Sequence, residues 1–197
     1  MKYPGIAGIV LIWVAAVAQT PKMPVDVEPD SGSVHGVEYK SDFFGFTYAF
    51  PKDRSVLHRQ SQTGIRLANG RLYTLLFLST STTGTMGPTD AGIVVLAESI
   101  SESAIRDSKD AASRLVDLLS HTEPPHTMLL APQKVFLDGK QFYRLEYEQQ
   151  TFPTVKHRFC TVVGVLNGYA LRFSMIADTK DRVNEACATI ASLRFYK

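Results

Sequence analysis

Several signatures of catalysis are missing from this sequence. It contains no GxSxG nucleophile elbow, no GxGxxG dinucleotide-binding turn and no Walker loop. The glycine-rich stretch 84–87 lacks the Lys-Ser/Thr pair that follows a phosphate-binding loop. CxxC pairs and cysteine clusters are also lacking, which excludes a thioredoxin-type redox centre and a zinc ribbon. The sequence therefore favours a protein that is not an enzyme and has no cofactor, and a hydrolase built from scattered Ser and His residues ranks third among its functions.

An excess of charge of either sign is lacking as well. The chain has 21 Lys and Arg residues against 19 Asp and Glu residues, a formal net charge of +2. Its basic residues are scattered along the sequence, so no patch predicts binding to nucleic acid or to an anionic membrane. What is present is a 45% hydrophobic composition over 197 residues, which suffices for one domain with a sizeable core.

The apolar stretch at the N-terminus is too short for an ordinary membrane-spanning helix. Lys2 precedes an apolar run over 5–18, whereas a spanning helix needs about 20 residues. This pattern predicts a secretory signal peptide over 1–18, cleaved between Ala18 and Gln19 after the small residues that signal peptidase requires. An uncleaved anchor is the alternative. We therefore expect an exported protein, periplasmic or extracellular, that does not span a membrane after cleavage.

The next stretch is rich in proline and follows no apolar period. Residues 19–38 contain Pro21, Pro24 and Pro29 and are predicted to form a flexible linker. Ordered structure is expected from Tyr39 onward, where apolar residues begin to alternate with small or polar ones. The sequence thus predicts a single domain over 39–197.

A long hairpin over 155–177 is the strongest structural signal. Asn167-Gly168 is the dipeptide best suited to a two-residue type I′ turn. A turn of two residues places Leu166 opposite Tyr169, and the pairing then continues back along both strands. One face, which carries Cys160, is almost wholly apolar. The other carries Thr161 and Arg172 and is mixed, so we expect it to be only partly covered.

Patterns of period 2 and period 3.6 predict the other elements of the domain. A continuous apolar run indicates a central strand that is buried on both faces, and a stripe of apolar residues indicates each helix. The predicted elements are an aromatic strand over 44–50, a buried strand over 72–78, a strand over 93–97, a helix over 102–120, a hairpin over 133–149 around Asp138-Gly139, and a closing helix over 180–192. The first helix has a capping box at Ser99 and Glu102, although its cap could equally be Ser101 or Ser103.

The two cysteines both point to one interface. Cys160 lies on the apolar face of the long hairpin, and Cys187 lies on the apolar stripe of the closing helix. Export would allow them to form a disulfide, which would contribute on the order of 3 kcal/mol to stability. Two reduced, buried thiols that act as small hydrophobic side chains are the alternative. The sequence alone leaves both open, because it does not show whether the Cα atoms come within about 7 Å.

Two further groups of residues deserve a functional hypothesis. The mixed face with Thr161 and Arg172 is the candidate binding face of the sheet. His121, Glu123 and His126 have metal-ligand chemistry, but the prolines between them prevent a helix from presenting them together. A solvated turn at the end of a helix explains these three residues better, so no metal site is predicted.

The segment 39–51, which reads YKSDFFGFTYAFP, resembles the opening of PsbP-like domains. Those domains begin with a similar aromatic and glycine-containing strand that ends in Phe-Pro. The resemblance extends over 39–196 in the order of elements, although Lys52-Asp53-Arg54 replaces the small residue and tryptophan usual there. It implies an α+β protein, an α/β/α sandwich around a mainly antiparallel sheet.

The resemblance also bears on function, because most PsbP-like domains bind other proteins and have no catalytic residues to carry over. They include photosystem II extrinsic and assembly proteins and exported bacterial proteins of unknown role. The leading hypothesis is an exported, non-enzymatic binding or assembly module that contacts a protein partner. The alternative is a carrier of a small ligand or lipid, with a pocket between sheet and helix that the aromatic strand over 44–50 would line.

Overall fold

Two antiparallel sheets and two helices make up the fold in the computed structural model, which describes residues 28–30, 32–58, 65–67, 70–81, 87–100 and 105–196. The predicted signal peptide over 1–18 and its cleavage site at Ala18 and Gln19 lie outside these residues. In chain order the elements are β1 (Ser33–His35), β2 (Glu38–Ser41), β3 (Phe46–Ala49), β4 (Ser55–His58), β5 (Ile65–Leu67), β6 (Gly70–Ser79), β7 (Gly92–Ser99), α1 (Ser108–Ser120), β8 (His126–Leu137), β9 (Lys140–Phe152), β10 (Val155–Leu166), β11 (Tyr169–Ala177), α2 (Lys180–Ala188) and β12 (Arg194–Phe195).

The larger sheet organises the domain. Its eight strands run in the order β4-β6-β7-β11-β10-β9-β8, and β5 pairs with β6 outside this path. Helix α1 packs over β8, β9 and β10 on one face, whereas α2 packs over β10 and β11 on the other. We name these the α1 face and the α2 face of the sheet. The predicted α+β class and α/β/α sandwich are confirmed.

The long hairpin has the register that its turn predicts. Leu166 pairs with Tyr169, Cys160 with Met175 and Thr161 with Ser174. Asn167 and Gly168 adopt positive φ angles of 50° and 80°, as a type I′ turn requires. The Asn167 side chain also donates a hydrogen bond of 2.7 Å to the carbonyl of Phe43, which ties the hairpin to the segment before β3.

The core on the α2 face is aromatic and continuous. Phe46 and Tyr48 of β3 are fully buried, and their rings lie 5.6 and 5.7 Å from that of Phe173 on β11. Burial raises the pKa of Tyr48 to about 12, while its hydroxyl shares a 2.6 Å hydrogen bond with Thr189. The aromatic strand therefore fills the core instead of lining a pocket, so it gives no support to the ligand-carrier hypothesis.

The same interface brings the two cysteines together. Cys160 on β10 and Cys187 on α2 are both buried, and their Cα atoms are 6.0 Å apart. Their sulfur atoms lie at disulfide distance. The requirement that the Cα atoms lie within about 7 Å is thus met.

The core on the α2 face is tightly packed against Gly164 of β10. A Cβ atom at this position would lie 2.5 to 3.0 Å from three ring atoms of Phe142. That ring is 2% exposed and stacks against Phe195, so it has little room to retreat. We expect Gly164→Ala to lower the free energy of unfolding by about 2 kcal/mol, as overpacked cores do. Urea denaturation measures the change.

The matched control for this prediction uses the Phe142→Leu background, which removes the aromatic ring that Gly164 contacts. There the Gly164→Ala substitution should cost clearly less than in the wild-type protein, because the two positions are coupled. An equal cost in both backgrounds would show that the loss comes from the backbone and not from contact with Phe142.

Helix α1 begins later than its sequence pattern predicted. Asp107 is the N-cap residue, and its side chain accepts hydrogen bonds from the backbone N–H groups of Lys109 and Asp110. Ser99 belongs to β7, so the predicted start near Ser99 and Glu102 is wrong. The Asp107 carboxylate satisfies two free N–H groups and also interacts favourably with the helix dipole.

The predicted linker also ends earlier than expected. Strand β1 pairs with residues 38–40 of β2. All of β1 and the first residue of β2 lie within the predicted linker. Asp30 holds this hairpin, because its carboxylate accepts hydrogen bonds from the backbone of Gly32 and Phe43 and from the Ser41 hydroxyl. Linker character over 19–38 therefore does not extend past residue 32.

The smaller sheet, ordered β1-β2-β3-β12, joins both ends of the domain. Strand β12 pairs with β3. The Tyr196 N–H donates to the Gly45 carbonyl at 2.8 Å. A side chain at Gly45 would meet the Tyr196 carbonyl at 2.8 Å, so this position requires glycine for close approach as well as for its φ of 63°.

The helices of the described part of the chain are too short, or too polar, to cross a membrane.

Candidate functional site

The two residues of the predicted binding face lie under helix α1. Thr161 is fully buried and shares a 3.0 Å hydrogen bond with Ser174, whereas Arg172 is 9% exposed. Leu115 and Leu119 of α1 pack with Val163 on the same face. Thr161 on β10 and Arg172 on β11 therefore do not form an open surface, because both side chains are buried. Helix α1 covers this part of the sheet.

The other half of the α1 face is more open. On β7, the residues that face the α2 core are fully buried, whereas Val94 and Leu96 on the α1 face are only half-buried. On β11 the same contrast separates buried Phe173 and Met175 from half-buried Ile176. Alternate residues of a strand point to opposite faces, so the difference shows which face lacks a full cover.

Strand pairing places several half-buried apolar side chains side by side. Val94 pairs with Phe77 and Ser174, Leu96 pairs with Arg172, and Ile176 pairs with Phe159. We call the surface formed by Phe77, Val94, Leu96, Phe159 and Ile176 the groove floor. Phe159 also stacks on Tyr147, with ring centroids 4.6 Å apart. Helix α1 adjoins the floor through Arg172, which pairs with Leu96 and lines a cavity together with Arg114 and Leu118 of α1. The exposed fraction of Leu118 is 52%.

The floor corrects one expectation about β6. The run over 72–78 predicted a strand buried on both faces, but Thr74 is exposed and Leu72 and Phe77 are half-buried. The residues on the α2 face, such as Tyr73 and Leu78, are buried as expected. The apolar sequence of β6 is therefore suited to a second covering layer on the α1 face. The described residues do not supply that layer over β6.

A charged cluster closes one end of the groove. The Arg172 guanidinium donates to Glu98 Oε2 at 2.6 Å, and Arg114 Nε donates to Glu98 Oε1 at 3.3 Å. The Glu98 and Arg172 side chains are 7% and 11% exposed, whereas the Arg114 side chain is 38% exposed. The buried pair thus fixes a partly exposed arginine at the border between α1 and the groove floor.

Burial and charge act in opposite directions on Arg172. Burial lowers the pKa of its guanidinium, and the Glu98 carboxylate opposes that shift. No acceptor among the described residues reaches the buried Nε of Arg172. Because two guanidinium groups share one carboxylate, the cluster carries a net positive charge beside an apolar surface.

The space directly beneath α1 is small. Glu98, Arg114 and Arg172 line a cavity of about 10 Å³ together with apolar residues of α1 and the sheet. That volume holds about one water molecule and no lipid or drug-sized ligand. The space beneath the middle of α1 therefore gives no support to a carrier function. A wider and open cavity of about 400 Å³ lies at the N-terminal end of α1, where Asp107, Lys140 and Phe142 are among the lining residues.

His121, His126 and His157 make local hydrogen bonds. Among the described residues, no cluster of three His, Cys, Asp or Glu side chains is arranged to hold a metal ion. His121 Nδ1 contacts the Asp117 carbonyl at 2.8 Å, and His126 Nδ1 contacts the Thr122 hydroxyl at 2.7 Å, both at the end of α1. His157 is 1% exposed and contacts the Thr151 hydroxyl, and burial lowers the pKa of its ring.

The roles of Glu98, Arg114 and the groove floor were not predicted from the sequence. Glu98 is the single charged residue of β7 and follows its apolar residues 92–97, and a lone charge in such a strand is a signal for a buried ion pair. Its partner, Arg172, is 74 residues away in sequence. Only the pairing of β7 with β11 brings the two residues together, and that pairing has no local signature.

Comparison with known proteins defines the fold. No family model matches the chain, and no curated protein matches its sequence. The solution structure of cyanobacterial PsbP (CyanoP) from Synechocystis sp. PCC 6803 is similar, with a TM-score of 0.50 and 14% sequence identity over 84% of this chain and 98% of that one. This chain therefore has a PsbP-like fold.

Two other solved structures are more distant. LpqN, which is involved in cell envelope biogenesis of Mycobacterium tuberculosis, has a TM-score of 0.48 at 10% identity and covers 86% of this chain and 90% of its own. PA94, a protein of unknown function from Pseudomonas aeruginosa, has a TM-score of 0.41 at 13% identity and covers 63% of this chain and 87% of its own.

Proposed function

We propose that this protein is an exported, non-enzymatic binding module that contacts a protein partner through the groove beside α1. The observation that carries the proposal is the groove floor, a row of half-buried apolar side chains on strands that are fully packed on their other face. Contiguous apolar surface of this kind commonly marks an interaction site. The predicted signal peptide and the cysteine pair at disulfide distance support export.

A protein partner suits this surface better than a small ligand. The floor is an extended sheet face bordered by one helix, and such a surface buries side chains of a partner instead of enclosing a molecule. The aromatic residues that suggested a carrier lie in the core. A catalytic role lacks a motif in the sequence, and the groove presents no nucleophile paired with a base.

Capture from the envelope and culture medium of the native host tests the proposal. Val94→Lys places a charge in the middle of the groove floor, and Phe136→Lys is the matched control. Phe136 is an apolar residue on β8 that is 66% exposed and distant from the groove in the order of strands. We expect the wild-type protein and the Phe136→Lys control to capture the same partner in equal amounts. Val94→Lys should capture at least about 10-fold less of that partner.

Thermal unfolding monitored by circular dichroism should show that both variants are folded. Equal capture by Val94→Lys and the wild-type protein would exclude the groove as the binding surface. Substrate turnover by the purified protein would exclude the non-enzymatic part of the proposal.

A further inference from the structure

The groove has a chemical asymmetry that specifies its ligand. Its floor is apolar, whereas its end beside α1 carries the cluster of Arg114, Glu98 and Arg172. We propose that the groove binds an extended peptide segment of the partner protein that has one carboxylate side chain between apolar residues, and that Arg114 pairs with this carboxylate. The inference rests on the proposed function and adds to it the chemistry of the partner.

The charges of the cluster favour a carboxylate. Glu98 is the one carboxylate among the described residues that contacts either guanidinium, and it is shared by both. A carboxylate brought by the partner would restore charge balance at a place where water is partly excluded. An aliphatic or cationic side chain at the same position would leave the cluster positively charged, which is costly when a surface becomes buried.

The geometry leaves part of Arg114 available. Glu98 contacts its Nε atom, and a guanidinium has four further N–H donors on its two terminal nitrogens. The Arg114 side chain is 38% exposed, so these donors lie where a ligand in the groove can reach them. Arginine in this position suits a carboxylate because its planar fork can form two parallel hydrogen bonds with it.

The buried pair has a positioning role. Arg172 holds Glu98 at 2.6 Å, and Glu98 in turn holds Arg114 at the border of the groove. A free surface arginine would lose much side-chain entropy when it binds a ligand. The Glu98–Arg172 pair limits this loss because it restricts Arg114 before the partner arrives.

The length of the ligand follows from the strand geometry. Ile176 pairs with Gly92, so the floor extends along β7 from residue 92 to residue 96. These five residues are separated by four steps, which correspond to about 13 Å of strand. A peptide of about five residues in extended conformation spans this distance. Its apolar side chains would contact Val94, Leu96 and Ile176, with the carboxylate at the end beside Arg114.

Two synthetic peptides test the inference on the full chain. The first is acetyl-Leu-Val-Val-Leu-Asp-Val-amide, in which Asp follows the residues that span the floor, and the second has Asn in place of Asp, which removes the charge and keeps the shape. Methyl NMR spectra report binding through the signals of Val94, Leu96 and Ile176. We expect both peptides to shift these signals at about 1 mM, and the Asp peptide to bind at least about 10-fold more tightly.

Arg114→Gln supplies the second arm of the experiment, and Arg106→Gln is the matched control. Arg106 pairs with Asp110, and its side chain is 86% exposed. Arg114→Gln should reduce the affinity for the Asp peptide to that for the Asn peptide and leave the Asn peptide unaffected, whereas Arg106→Gln should change neither. Added salt should weaken binding of the Asp peptide alone.

The outcomes separate the inference from the proposed function. Equal affinity for the two peptides, with the floor methyl signals shifted, would overturn the carboxylate preference and keep the groove as a binding surface. Binding of neither peptide at about 1 mM, or shifts confined to other residues, would overturn the groove itself. Tighter binding of the Asp peptide that survives Arg114→Gln would show that another cation recognises the carboxylate.

Discussion

Arg172→Met is expected to lower the free energy of unfolding by about 3 kcal/mol, the loss typical when one partner of a buried ion pair is removed. The substitution keeps most of the side-chain volume but leaves Glu98 buried with Arg114 as its remaining ion-pair partner, at 3.3 Å. A buried carboxylate with too few donors is costly, since burial removes the water that would otherwise solvate it. Urea denaturation followed by circular dichroism measures the change.

The double variant Arg172→Met/Glu98→Leu is the control for this prediction. It removes both charges of the pair, so its stability should recover most of the loss that the single variant suffers. Arg114 is partly exposed and regains solvation from water. If the double variant were no more stable than Arg172→Met, the loss would come from packing beneath α1 and not from an unpaired charge.

Replacing both cysteines with alanine is expected to lower the free energy of unfolding by about 3 kcal/mol. A bond between Cys160 and Cys187 closes a loop with a sequence separation of 27 residues, and it stabilises the fold chiefly because it restricts the unfolded chain. The measurement compares denaturation curves of the oxidised wild-type protein and of the double variant Cys160→Ala/Cys187→Ala.

Reductant provides the control for the cysteine prediction. It should lower the stability of the wild-type protein toward that of the double variant and should leave the double variant unchanged. Mass spectrometry of the unreduced protein should show that both thiols are oxidised. Two free thiols in protein isolated from an oxidising compartment would contradict the prediction, and the cysteines would then act as small buried hydrophobic side chains.

The elements predicted best from sequence are those fixed by local chemistry. The Asn167-Gly168 turn sets the register of β10 and β11 because a two-residue loop allows one alignment, and a strand shifted by one residue would turn its apolar side chains to the wrong face. The Asp138-Gly139 hairpin and the apolar stripe of α2 were predicted for similar reasons. In α2, the buried residues Val183 and Cys187 are four positions apart and lie on one side of the helix.

Errors occurred where several local signals competed or where no local signal exists. The region before α1 offers serines at 99, 101 and 103 as caps, and Asp107 forms the actual cap. In the small sheet, β1, β2 and β12 have two to four residues each and are too short to show a clear period. Its pairing of β3 with β12 joins residues at opposite ends of the domain.

The groove could be predicted only in part. The apolar sequence of β6 correctly indicates that both faces of this strand need a cover. It does not show that the cover on the α1 face is incomplete, because that depends on where α1 packs. The position of α1 follows from the fit of Leu115 and Leu119 against β9 and β10, which is a property of the folded domain.

The contact between Gly45 and Tyr196 has a consequence for the order of events during synthesis. Strand β3 emerges early from the ribosome, but its neighbour β12 and the Tyr196 N–H emerge with the last residues of the domain. Fully native packing of the aromatic core around Phe46 must therefore wait for the C-terminal residues. A nascent chain whose domain stays incompletely folded until Tyr196 has been synthesised is suited to threading through a translocation channel, so the topology is compatible with export in an unfolded form.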